Sequence, residues 1–64
     1  MILEAVYFKN GKEIDWIDPV LDIACEDTMT DISEIEIYNG RGWFSSKDCD
    51  EAPDDIVIRI KKEN

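Results

Sequence analysis

Histidine is absent from this chain of 64 residues. Its absence removes the Ser-His-Asp and Cys-His nucleophile arrangements and the imidazole ligands of zinc sites. Cysteine is scarce: Cys25 and Cys49 form no CxxC pair and supply too few soft ligands for structural zinc. A single bridge between them would be sparse for a secreted mini-protein, so both are expected as free thiols, each a small buried hydrophobe. Neither GxGxxG nor GxxxxGK[ST] occurs, so the glycine-rich loops that cradle nucleotides are missing. No uninterrupted apolar run approaches the ~20 residues that cross a bilayer. Met1-Ile2-Leu3-Glu4 places an acid where a secretory signal carries a base. The expected location is cytoplasmic.

Positive charge is the next shortage. Seven Lys and Arg stand against 16 Asp and Glu, for a net charge of −9. No base interrupts the stretch from Glu13 to Gly40, which holds Glu13, Asp15, Asp18, Asp22, Glu26, Asp27, Asp31, Glu34 and Glu36. None interrupts Asp48 to Asp55 either. A field of this sign repels nucleic acid and anionic membrane, and it attracts basic protein surfaces. The length allows one domain, 1–64, which buries only ~60% of the surface its unfolded chain exposes.

What is present reads as β-structure. Ile2 to Lys9 is rich in β-branched and aromatic residues, with apolar side chains at both alternating sets of positions, as in a central strand. Asn10-Gly11 is the dipeptide that best tolerates the positive φ angles of a type I′ turn, and Lys12 to Ile17 alternates after it. Together they predict a β-hairpin. Asp18-Pro19 breaks the strand. From 19 to 26 a short helix is favoured, capped by Asp18 with Pro19 at its first position. Alternation of Leu21, Ile23 and Cys25 as a strand is the alternative. Ile32 to Tyr38 reads as a strand, Asn39-Gly40-Arg41-Gly42 as a second hairpin turn into Trp43 to Ser45, and Ile56 to Lys61 as the last strand. The expected fold class is α+β, mainly β: a small antiparallel sheet of about five strands built from two hairpins, with a short helix at 19–26.

Two finer expectations follow. Acidic Glu34 and Glu36 match basic Arg59 and Lys61 as cross-strand pairs, which predicts that the third and last strands are neighbours. Phe8-Lys9-Asn10-Gly11-Lys12 and Ile37-Tyr38-Asn39-Gly40-Arg41 echo one another, but beyond the turns the halves do not match. Independent use of a favoured turn dipeptide explains the echo better than duplication.

The loop Asp48 to Asp55 fails as a calcium loop. An EF-hand starting at Asp48 needs glycine at its sixth position and glutamate at its twelfth, where Pro53 and Arg59 stand. No metal site and no cofactor are expected. A chain this short rarely encloses the ~300 Å³ or more that a substrate pocket needs, so it is not expected to be an enzyme.

The expected function is that of a non-catalytic acidic binding protein, an inhibitor or decoy on the basic nucleic-acid-binding surface of a partner protein. Along a strand, alternate residues recur at ~6.6–6.8 Å on one face, a spacing suited to a row of charges. The candidate binding residues are Asp15, Asp18, Asp22, Glu26, Asp27 and Asp31, with Asp48, Asp50, Glu51, Asp54 and Asp55 of the loop. In size, charge and lack of catalytic groups the profile resembles the small acidic proteins that bacteriophages and mobile elements use against restriction or CRISPR nucleases. That resemblance implies a basic protein partner, such as a nucleic-acid-binding enzyme, with no direct nucleic-acid or membrane contact. The alternative is a β-sheet protein–protein interaction module or homo-oligomeric subunit, a homodimer for example, with Trp16, Trp43, Phe44 and Tyr38 as anchors. Trp16 and Trp43 are expected to serve first as core packing.

Overall fold

The β-branched and aromatic first segment becomes the centre of a sheet. The computed structural model describes residues 1–26, 28 and 31–62. In it β1 (Leu3–Lys9) lies between β2 (Lys12–Ile17) and β6 (Asp55–Ile60), antiparallel to both. Glu4, Ala5, Val6 and Tyr7 are all buried, as expected for a strand covered on both faces. The register places Leu3, Ala5 and Tyr7 beside Ile60, Ile58 and Ile56 on one face, and Glu4 and Val6 beside Arg59 and Val57 on the other.

A second antiparallel sheet holds β3 (Asp22–Ala24), β4 (Glu36–Tyr38) and β5 (Trp43–Phe44), with β4 in the middle. Its anchor is Ile37, fully buried and paired with Ile23 and Phe44. The fold is therefore mainly β, in two small antiparallel sheets, and both predicted hairpins form. Among the described residues helical structure is confined to two 3₁₀ turns, Ile32–Glu34 and Ser46–Asp48. Among the described residues no helix is long and apolar enough to cross a membrane.

The two Asn-Gly turns differ in kind. Asn10 (φ 53°) and Gly11 (φ 79°) both occupy positive φ between the paired Lys9 and Lys12, as a type I′ turn requires. In the second turn Asn39 stands outside the bend, its Oδ1 accepting from Arg41 N–H (2.9 Å) and Gly42 N–H (3.2 Å). Gly40 (φ 96°) takes the first central position, at a positive φ that glycine adopts without strain. The same dipeptide is used one position out of step.

Four expectations are corrected. From 19 to 26 the favoured helix is replaced by extended chain and β3. Val20 N–H bonds Leu3 C=O and Leu21 N–H bonds Tyr38 C=O, both at 2.8 Å, so neighbouring strands claim the amides that an Asp18 cap would have used. Ile32 to Tyr38 is not one strand: Asp31 Oδ1 accepts from Ser33 N–H (3.1 Å) and caps a 3₁₀ turn, leaving only Glu36–Tyr38 extended. β4 does not neighbour β6. Arg59 bonds Glu4 (2.9 Å) and Glu13 (2.7 Å), and Lys61 bonds Asp18 (2.9 Å). Finally, Trp16 and Trp43 are not core packing, being 61% and 47% exposed. A bulge contributes to the departure from simple alternation in β2: the register steps from Tyr7–Asp15 to Phe8–Glu13, leaving Ile14 as the extra residue.

Candidate acidic binding surface

Most of the predicted acids first serve the backbone. Asp15, Asp22 and Asp55 each accept from the N–H of the following residue at 2.8–2.9 Å. Asp48 closes a capping box on the second 3₁₀ turn, taking Ser45 N–H at 2.9 Å. Asp54 Oδ2 takes Asn10 N–H at 2.9 Å and ties the acidic loop to the first hairpin tip, where Lys9 Nζ also reaches Ala52 C=O (3.1 Å). These bonds hold the carboxylates in place without removing their charge.

Folding then sorts the acids into groups. Asp15 from β2 meets Asp48 and Asp50 from the loop around Cys49. Burial pushes the Cys49 thiol up from its ordinary value, and Asp15, Asp48 and Asp50 push it further the same way. A thiol so surrounded holds its proton and is a poor nucleophile. Beside it lies a hollow of about 280 Å³ lined by Tyr7, Asp15, Phe44, Asp48 and Cys49 among others. The Tyr7 hydroxyl is buried there without a hydrogen-bond partner. Burial first, then the negative charge of Cys49, Asp48 and Asp15, pushes its pKa up to about 12.

A second group surrounds a hollow of about 410 Å³, where Glu26 meets Glu34, Glu36 and Lys47. The two 3₁₀ turns pack side by side, and the second sends Lys47 into this hollow and Asp48 into the first. The two acidic groups thus flank a single turn. Sequence reasoning set Glu34 and Glu36 aside as partners of β6. The signal that could have recovered them is their place in the base-free stretch.

Comparison with known proteins finds no match among family models, curated sequences or solved structures. The surface is therefore argued from its own geometry.

The remaining predicted acids lie apart. Asp18 is paired with Lys61 and only a quarter of its side chain is exposed. Asp22 is exposed on edge strand β3 opposite Tyr38, and Asp31 caps the first 3₁₀ turn. Glu51 is exposed in the loop, and Asp54 and Asp55 lie where the loop enters β6. Asp27 lies outside the described residues. Of the aromatics, Tyr38 and Trp43 pack together with ring centroids 5.2 Å apart, while Trp16 rises from the outer face of the first sheet beside Val6. Cys25, expected buried, is exposed, and both cysteines are free. Among the described residues no three acids or thiols converge as metal ligands.

Proposed function

We propose that this chain is a non-catalytic acidic binding protein whose carboxylates occupy the basic nucleic-acid-binding surface of a partner protein. One observation carries the reading: Asp15, Asp48 and Asp50 on one side of a 3₁₀ turn, and Glu26, Glu34 and Glu36 on the other, gather from separate segments. Backbone amides hold Asp15 and Asp48 in fixed positions, so little side-chain entropy is lost when a basic partner docks. Charges presented this way steer a cationic surface into contact and stand in for phosphates.

The test is capture from bacterial lysate on the immobilised chain, eluted in rising salt and challenged with duplex DNA. A basic nucleic-acid-binding protein should leave as salt rises from about 0.1 to 1 M, because the Debye length falls from ~10 to ~3 Å over that range. DNA should displace it, and reversing charge at Asp48 and Asp50 should abolish capture. Partners indifferent to salt and to DNA would overturn the proposal.

A second reading, an apolar interaction module, is favoured by the exposure of Trp16 and Trp43. Under that reading Trp16→Ala or Trp43→Ala abolishes capture and the Asp48 and Asp50 reversal does not.

A further inference from the structure

The four edge strands are unequal. β3 and β5 are three and two residues long. β2 is longer, but the bulge at Ile14 breaks its register. Short strands and bulges are the usual ways a protein blunts a sheet edge. β6 has neither: its six residues run in unbroken register along β1.

The backbone of β6 is also directed outward. Lys61 N–H bonds Ile2 C=O at 2.7 Å. With the period of two along a strand, odd-numbered residues of β6 turn their amides to β1. Ile58 and Ile60 therefore turn their N–H and C=O groups to the open edge, as does the Ile56 C=O, while the Ile56 N–H is held by Asp55 Oδ1 at 2.9 Å. Their side chains remain incompletely covered, with Ile58 39% and Ile60 58% exposed beside Leu3 at 37%.

We propose that β6 pairs antiparallel with β6 of a second copy of this chain, about a two-fold axis at Ile58, joining two three-stranded sheets into one of six. The charge pattern selects this occupant and this register. The strand has acids at its start (Asp54, Asp55) and bases at its end (Lys61, Lys62). An antiparallel copy sets Asp55 opposite Lys61, which is also paired with Asp18 of its own chain, and brings Asp54, just before the strand, near Lys62, twice by symmetry, with Ile56 opposite Ile60 and Ile58 opposite Ile58. Sliding two residues one way would set Arg59 against Arg59. Sliding the other way would leave Asp54 against Ile60 and bring Pro53, which has no N–H to give, into the pairing.

The proposal is independent of the acidic surface, and its test needs no other partner. Sedimentation of the full chain over a concentration series should show a reversible monomer–dimer equilibrium. Lys62→Asp should weaken it about tenfold, and adding Asp54→Lys should restore it, through the two symmetry-related pairs. In a background with Cys25→Ser and Cys49→Ser, Ile58→Cys should oxidise to a disulfide-linked dimer. Directly opposed residues of a hydrogen-bonded pair have Cα atoms ~5.5 Å apart, inside the ~4.4–6.8 Å range of disulfides. Val57→Cys should not, because Arg59 is its neighbour across the axis. Circular dichroism of each variant separates lost pairing from lost folding. A chain that sediments as a monomer throughout overturns the proposal. So does a dimer that tolerates Lys62→Asp and forms no bridge at position 58, or protection of β6 amides only when a different protein is added.

Discussion

The two sheets are built by different means from one short chain. The first has strands of seven, six and six residues, and three of its side chains, Ala5, Val6 and Tyr7, are at most 1% exposed. Long ladders and an apolar central strand hold it together. The second has strands of three, three and two residues, and only Ile37 among its strand residues is fully buried. Its surroundings depend on local polar chemistry: Asn39 Oδ1 bracing the second turn from just before the bend, Asp31 and Ser45 capping 3₁₀ turns, Asp48 completing a capping box. The difference teaches where adaptable surface can arise. A sheet that specifies itself by burial has few positions to spare, whereas turns held by caps can present carboxylates outward.

The strongest way to break this comparison is Ile37→Ala. Removing a fully buried isoleucine side chain costs about 2–5 kcal/mol. A 64-residue domain at about 0.05–0.15 kcal/mol per residue holds only about 3–10 kcal/mol in all. Urea unfolding followed by amide exchange should show β1 and β4 losing protection together, as one cooperative unit. Protection retained in β1 alone would mean that the two sheets unfold separately.

Tyr7 gives the next largest effect and probes the first sheet. Its folded-state pKa, raised from 10.0 to about 12, means that the native state holds this proton more tightly than the unfolded chain. The associated stability is fully present below pH 10 and is lost as pH climbs through 12, roughly 2–3 kcal/mol in total. Urea midpoints should therefore fall more steeply with alkaline pH in the parent than in Tyr7→Phe. At neutral pH the same substitution removes a hydroxyl that has no partner, so it should be neutral or stabilising by up to about 1 kcal/mol. A parallel alkaline decline in both proteins would contradict the assignment.

The smallest effect sharpens the contrast between the turns. Gly40→Ala should cost about 1–2 kcal/mol, since the residue sits at φ 96° and an added Cβ would meet Leu21 Cδ1 at 3.1 Å. Gly11→Ala should cost about 1 kcal/mol, from backbone strain alone, because nothing lies within 4 Å of its Cβ position. Equal denaturation midpoints for the two variants would show that the Leu21 contact carries no cost.

Much of the first sheet was legible in the residues. Apolar side chains on both faces of β1, and Asn10-Gly11 after it, carry their structural meaning locally. The second sheet was less so, because three-residue strands are too short for periodicity to separate strand from helix. Cap-and-proline chemistry at Asp18-Pro19 pointed to a helix, and the amide acceptors offered by Leu3 and Tyr38 lie far away in sequence. Matching of opposite charges was sound as physics but assigned the wrong partners: Arg59 found Glu4 and Glu13 rather than Glu34 or Glu36. The acidic character of the surface was visible in composition. Its division into two groups around one turn was not, since it depends on the packing of two 3₁₀ turns that no pattern announces.

The pairing of β1 with β6 has a consequence for the order in which the molecule assembles. The Asn10-Gly11 hairpin needs only neighbouring residues and can close within ~1–10 μs. The third strand of the same sheet must return across nearly the whole chain, from Lys61 to Ile2. Closing so long a loop carries an entropic cost that local contacts cannot offset early. The least local contact in the molecule thus closes over its most buried strand, and any pairing within the second sheet shortens the loop that this contact must close.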